Sequence, residues 1–472
     1  MVAIMTIVGF FLRLIGSNQS FWLDEGASLE IALTPLASFV TKMASDFHPP
    51  LFYLLLKLWL PLAGHSEWLI RLPFILIGTA TIPAVYFLVK EIVDSKNHMA
   101  PRLALIFFCL SPFHIYYSQE LRMYSLNALL TVLSWAYLLR SQKRSHPKYL
   151  IFFTLFNALN IYTFYGAFFN LAAQFLFIIF SRKKILPLLA SLVVSFALFA
   201  PWLPTMLEQT KVGGYLKSAL PGWSALSGSL DFKSLMLIPL KLLSGRISFT
   251  PKIVYYALGG LISAIYIFLA AFGAKEKRHA VLATWVIVPL IIASVVSLKT
   301  PVLGYWRFLF ILPAVISLSA IGLSKFSLSV GGVTFWTLVI LTLIPTLITW
   351  GNPINQREDW RRLSSYINQP QSLVVVNFPA PFAPLRFYSP QADYYFTQQS
   401  LGSPRTDLIE TISVPAQSKL RIFLLDYLSD LTDPQRTAQK ALETAGFTRV
   451  GERSFKNIGV VYEYRPPAKA SN

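Results

Sequence analysis

Apolar stretches of about 20 residues recur through the first 350 residues of this chain, and that recurrence limits its fold more than any other feature. A helix of roughly 20 apolar residues crosses a hydrocarbon layer about 30 Å thick. Charged residues make up 13% of the chain, against about a quarter in a soluble globular protein, and the deficit lies almost entirely before residue 350. The sequence therefore predicts a polytopic α-helical membrane protein. About eleven spans are expected, near 1–16, 69–89, 103–118, 121–139, 149–164, 166–180, 185–203, 252–272, 280–298, 303–323 and 331–350.

A net charge of +19 suggests nucleic acid in a soluble protein. Here the cations gather instead in one set of loops, as the positive-inside rule requires. Lys90, Lys96 and Arg102 fall in one such loop, Arg140, Lys143, Arg144 and Lys148 in the next, and Arg182, Lys183 and Lys184 in a third. Lys275, Lys277, Arg278 and Lys325 complete the set. The opposite loops hold few cations, so residues 17–68 and the C-terminus are expected outside, and no nucleic-acid partner is expected. The single cysteine, Cys109, lies within an apolar run and reads as a buried structural thiol. The first apolar stretch lacks a basic leader and a small-residue cleavage site, and reads as a retained span.

Two domains are expected. Residues 1–350 form the membrane domain, with a first outside loop at 17–68 and a flexible outside loop at 204–250. In the first loop, LTPLASFVTKMAS and PPLFYLLLKLWLPLAG mix apolar residues with single lysines, which suits helices lying in the membrane interface. In the second, Gly213–Gly214, Pro221–Gly222 and Gly245 act as breakers, with Tyr215 and Trp223 as interfacial anchors. Residues 351–472 read as a small α/β domain outside the membrane. REDWRRLSSYI and TAQKALETAG have helical patterns, and SLVVVNF, LRIFLLDYL and GVVYEY have strand patterns.

The first outside loop is unusually acidic for such a chain. Asp24 and Glu25 follow Phe21–Trp22, and Asp46 and His48 come about twenty residues later in SDFHPPLF. A carboxylate near low dielectric is costly unless it is paired or functional. Asp24 also fits a helix N-cap, and Pro49–Pro50 fits a helix start at Leu51. A third polar element, SPFHIYYSQELRMYSL at 111–126, crowds Tyr116, Tyr117, Glu120 and Arg122 into one short turn. A guanidinium at that level matches phosphate oxygens in geometry and charge. The remaining histidines are scattered, so no metal site is expected.

In order, FWLDE, DFHPPLFYLLLKLW, the Arg-Leu-Pro of LIRLPFIL and YYSQELRMYSL resemble glycosyltransferase family 39. That family includes protein O-mannosyltransferases and the aminoarabinose transferase of lipid A, on the GT-C fold. YWRFLFILP at 305–313 is similar to a late family element, with Phe308 where tyrosine is usual. REDWRRLSSYI resembles the start of the extracytoplasmic domain of many bacterial members. The resemblance implies Asp24 as catalytic base with Glu25 beside it. It also implies Asp46 and His48 as substrate-facing residues, although the aminoarabinose transferase has lysine where this chain has His48.

The expected function is a membrane glycosyltransferase. It would move a sugar from a polyprenyl-phosphate donor to an acceptor hydroxyl on the extracytoplasmic face, with inversion. Tyr117, Glu120, Arg122 and Arg307 join Asp46 and His48 as candidate substrate-binding residues. Arg122 and Arg307 would meet the charge that develops on the leaving phosphate. The expected partners are the lipid-linked sugar, an acceptor lipid, glycan or protein, and the bilayer of the cell membrane; no cofactor is expected. The alternative is a carrier or flippase for a lipid-linked sugar, which calls for ionisable residues near the bilayer midplane or paired broken helices.

Overall fold

The computed structural model describes residues 1–466 apart from 221, 223–225, 248, 250, 406, 409–410, 413–415 and 417. The chain divides into two compact units. The first comprises Met1–Asn18, Thr34–Thr210 and Ala225–Asn355; the second comprises Gln19–Leu33, Lys211–Ser224 and Gln356–Asn472. The division falls close to the expected boundary at 350/351. Gln19–Leu33, however, belongs with the C-terminal residues and not with the membrane domain.

In the first unit, every expected span falls on a helix. Among the described residues, six helices are long and apolar enough to cross a membrane. They are Glu67–Ile92, Ile185–Lys211, Lys252–Gly273, Lys277–Val296, Tyr305–Leu323 and Leu328–Gly351. Met99–Leu110 and Pro112–Ser118 together make a further candidate, bent by 56°. The expectation of about eleven spans counted apolar runs without regard to their reach. Val2–Leu14, Lys148–Ile161 and Ala167–Ser181 hold 13, 14 and 15 residues. At 1.5 Å per residue each reaches only about 20 Å. Tyr124–Lys143 is long enough at 20 residues, but too polar to meet the same test.

The bend has an identifiable cause. Pro112 has no N–H to give the carbonyl of Phe108 four residues earlier, so the helix breaks there. Arg13, fully buried on the first helix, covers the exposed carbonyls. Its Nη2 donates to Phe108 at 3.5 Å and its Nη1 to Cys109 at 3.3 Å. Arg13 Nη2 also lies 2.8 Å from His114 Nδ1, which anchors the turn that follows. Cys109 is buried beside them, in line with a structural thiol.

Polar side chains knit three neighbouring helices. Asn127 donates to Asn160 at 2.7 Å, and Asn160 to Thr131 at 2.9 Å. Gln174 donates to Ser134 at 2.8 Å, and Trp135 to Asn170 at 2.7 Å. Such bonds replace the hydrophobic drive that lipid cannot provide between helices.

Among its described residues, the segment 204–250, expected as a flexible loop, carries helices. Leu203–Ala219 and Phe232–Ser244 are helices. Asp231 caps the second by accepting from the Ser234 N–H at 2.7 Å, and Gly245 ends it with a φ of 80°. Gly213–Gly214 lowers helix propensity without breaking the helix. Pro221 and Trp223 lie outside the described residues.

The C-terminal part of the second unit carries six strands. They are β1 (Ser372–Pro379), β2 (Tyr394–Ser400), β3 (Ser403–Pro404), β4 (Arg421–Asp426), β5 (Thr448–Phe455) and β6 (Gly459–Arg465). Their order is β3-β2-β1-β4-β6-β5, with β1 parallel to β2 and β4, and β6 antiparallel to β4 and β5. Strand β1 is buried on both faces, which explains its unbroken apolar run. Val374 and Val376 pack with Trp360, Leu363 and Ile367. Leu373 and Val375 face the opposite way, toward Ala438, Ala441 and Leu442.

Candidate active site

The expected site residues fall in two clusters, one in each unit. Asp46, His48, Tyr117, Glu120, Arg122 and Arg307 belong to the first, and Asp24 and Glu25 to the second.

In the first unit, Pro49 and Pro50 halt the chain between helices Leu36–Ala44 and Leu51–Ala63, with Pro50 as N-cap of the latter. Both expected interfacial segments are thus helical. The turn between them is pinned from outside, because Gln209 Nε2 donates to the carbonyls of Met43 and His48 at 3.2 and 3.5 Å. Within it, His48 Nδ1 lies 2.9 Å from Asp46 Oδ2, and Tyr53 donates its phenolic hydrogen to the same oxygen. On the other side of the ring, Arg122 Nη2 stands 3.3 Å from His48 Nε2. A guanidinium only donates, so Nε2 accepts and the ring hydrogen sits on Nδ1, directed at Asp46. Burial acts to raise the Asp46 pKa, but His48, Arg122 and Tyr53 outweigh it and hold the carboxyl below its usual range. The result is a half-buried anion, an oriented imidazole and a buried cation in series.

Arg122 is buried in the turn after Pro112–Ser118, and Glu120 beside it is buried as well. Aromatic rings wall this turn. Tyr117 meets Phe113 at 4.6 Å, Tyr116 at 5.2 Å and Tyr124 at 5.5 Å, centroid to centroid. Tyr305, at the start of Tyr305–Ile311, reaches Phe113 at 6.1 Å. Arg307 lies in the same segment, but its Nη1 donates to the backbone carbonyls of Ser227 and Pro301 at 2.6 and 3.2 Å. Those bonds fix a loop.

Two cations absent from the sequence expectations stand against the aromatic wall instead. Arg246 Nη1 donates to the Tyr116 hydroxyl at 2.8 Å. Tyr116 raises its pKa well above the ordinary value, against burial, with Tyr305, Tyr117 and Glu120 adding to the effect. Lys241 donates to the Ile247 carbonyl at 2.8 Å and lies 4.3 Å from the Tyr255 ring centre. Burial and then the neighbouring Arg246 push its pKa down to about 8. Both residues lie in the stretch that reads as a loop. The available signal was a pair of cations flanking the glycine stop of an apolar helix.

In the second unit, helix Leu23–Leu33 begins one residue before Asp24, so Asp24 occupies its first turn and not the N-cap. Acids in that position are favoured by the helix dipole. Glu25 is fully buried, accepts from the Trp22 N–H at 3.3 Å and lies 3.7 Å from Arg357 Nη1. A carboxylate at the third helical position reaching back to the residue before the helix is half of a capping box. Gly26 lets the helix approach Ala383–Tyr388, since a Cβ there would stand 3.0 Å from the Pro384 nitrogen.

Residues 47–204 match the family described as dolichyl-phosphate-mannose-protein mannosyltransferase. No curated protein matches the sequence. Solved structures match across nearly the whole chain. ArnT from Cupriavidus metallidurans in its apo state superposes with a TM-score of 0.62 at 13% identity, covering 98% of this chain and 96% of that one. The same protein bound to undecaprenyl phosphate gives 0.60 at 13%, covering 100% and 98%. The oligosaccharyltransferase AglB from Archaeoglobus fulgidus, with an inhibitory peptide and a dolichol-phosphate, gives 0.55 at 11%, covering 98% and 73%. The resemblance read from the sequence is borne out. Part of this chain thus matches a mannosyltransferase family, and its fold is shared with ArnT and AglB.

Proposed function

We propose that this protein transfers a sugar from a polyprenyl-phosphate donor to an acceptor hydroxyl on the extracytoplasmic face of the cell membrane. The observation that carries the reading is the half-buried series Asp46–His48 joined to the buried Arg122, which the aromatic turn holds beside Tyr116 and Tyr117. His48 and Arg122 both fall within the matched segment. Arg122 and Arg246 bind the single phosphate of the donor, and Lys241 adds charge nearby. Such groups gain strength where water is scarce. Asp46 orients His48, and His48 orients Arg122. The one-sided distribution of loop lysines and arginines supports the extracytoplasmic placement.

In the reaction, Asp24 takes the proton of the acceptor hydroxyl as its oxygen attacks the anomeric carbon. The bond from that carbon to the phosphate oxygen breaks, and its electron pair leaves with the polyprenyl phosphate. One displacement inverts the anomeric centre and forms no covalent glycosyl-enzyme. The reading assigns no metal and no cofactor to this step. Glu25 serves the helix start, and its carboxylate takes no proton.

The test uses full-length protein in nanodiscs with undecaprenyl-phosphate mannose, glucose and 4-amino-4-deoxyarabinose as donors. Wild type should consume at least one of them. Asp24→Asn should lower turnover by at least about 100-fold while undecaprenyl phosphate still binds within about twofold of wild type. Transbilayer movement of labelled donor without consumption would replace the transferase with the carrier.

A further inference from the structure

We propose that Glu358, at the head of the C-terminal domain, is a positioning residue for Asp24, fixing the turn that carries the base through the Leu23 amide. The proposal rests on the reading of Asp24 given above.

The backbone N–H groups at the start of a helix have no partner within it. At this helix, consecutive amides are met by side chains. The Phe21 N–H donates to the Tyr388 hydroxyl at 2.8 Å, the Trp22 N–H to Glu25 at 3.3 Å, and the Leu23 N–H to Glu358 Oε2 at 3.1 Å. Glu25 is local, whereas Glu358 comes from a point 335 residues along the chain. Glu358 is itself held, because Trp360 Nε1 donates to Oε2 at 2.7 Å and the Tyr427 hydroxyl donates to Oε1 at 2.8 Å. Trp360 and Tyr427 both sit in the apolar core of the domain, so the carboxylate is referenced to that packed core. Asp24 is the next residue after Leu23. None of these bonds uses its carboxylate, yet together they set the direction in which it leaves the backbone.

A base must come within hydrogen-bond reach of the proton it removes, and small misplacements are costly in rate. Loss of the Leu23 anchor should therefore lower kcat without changing how the lipid phosphate binds. A contact that serves only to attach the domain would lower thermal stability and leave the kcat of the folded protein intact.

The experiment takes full-length protein in nanodiscs, the most rapidly consumed of the three donors above, and undecaprenyl phosphate for binding. Glu358→Ala should lower kcat by about 30-fold or more, with KM and the undecaprenyl phosphate Kd within about twofold of wild type. Glu358→Gln keeps an acceptor for Leu23 and should recover kcat to within about fivefold. Tyr427→Phe, which removes one of the two groups orienting Glu358, should give an intermediate fall and covers the case in which Glu358→Ala does not fold. A Glu358→Ala protein with wild-type kcat, or one with unchanged kcat and raised KM, overturns the proposal. So does a Glu358→Gln protein as slow as Glu358→Ala. Inactive Asp24→Asn beside fully active Glu358→Ala would remove this inference alone; fully active Asp24→Asn would remove the base itself.

Discussion

Arg13 among the membrane helices and Arg357 in the C-terminal unit are both buried, yet their surroundings differ in kind. Arg13 meets neutral acceptors: the carbonyls of Gly9, Phe108 and Cys109, and the His114 ring. Arg357 faces the carboxylate of Glu25 at 3.7 Å. Lys241 follows the first pattern, with a carbonyl and aromatic faces, and Arg436 the second, with Asp426 and Asp430. Neutral solvation keeps a cation in place without cancelling its field, whereas pairing cancels the field and leaves a brace. A unit that must attract a lipid phosphate benefits from the first arrangement. A unit that must hold a helix start in place benefits from the second.

The largest effect should come from breaking the brace. Arg357→Met leaves the Glu25 carboxylate buried without its cation and should cost roughly 3–5 kcal/mol of stability, read as a fall in melting temperature. Adding Glu25→Leu should restore most of it, because an apolar pair of similar volume avoids the desolvation penalty. If the double variant melts no higher than the single, charge pairing is not what the site provides. Arg13→Met should cost somewhat less, about 2–3 kcal/mol, by leaving the Cys109 carbonyl at the Pro112 break without its guanidinium donor. Among the described residues Arg13 has no anionic partner whose removal would compensate, and recovery of the melting temperature by any single apolar replacement at His114 would contradict the contrast.

The smallest effect is the most informative about the field. Lys241 has a lowered pKa of about 8, so it is charged below that pH and neutral above it. Undecaprenyl phosphate affinity should therefore fall as pH rises through 8, by about tenfold for the loss of one nearby charge. The second ionisation of the phosphate is centred about two units lower, near pH 6, so it is nearly complete before Lys241 titrates. In Lys241→Arg the fall should vanish; its persistence would assign the titration to another group.

Much of this was legible in the sequence because local chemistry dictates it. Pro49–Pro50 fits a helix start and precedes one, and SLVVVNF fits a buried strand and forms one. The strands β2 and β5 escaped because YYFTQQS and TRVGERSF are too polar to stand out from loops. Asp46 and His48 were readable as a pair at two residues' separation. Glu25 and Arg357 were not, since no periodicity links residues so far apart in the chain. Glu25 therefore read as a second catalytic acid when its geometry is that of a helix cap with an ion-pair partner. Arg246 was hidden by the treatment of its segment as a loop.

The hydrogen-bonded asparagines, threonine and glutamine described among the membrane helices bear on how the protein is made. Asn127, Thr131 and Ser134 lie along one stripe of Tyr124–Lys143, and all are buried. Alone in hydrocarbon, Ser134 would keep its bond to the Thr131 carbonyl, but the Asn127 amide would lose its partner on the neighbouring helix. Its partners, Asn160 and Gln174, lie further along the chain. During synthesis the helix reaches the translocon before them. The interhelical bonds can form only once those two helices have emerged. The packing of this early helix is thus completed by residues made after it, up to Gln174.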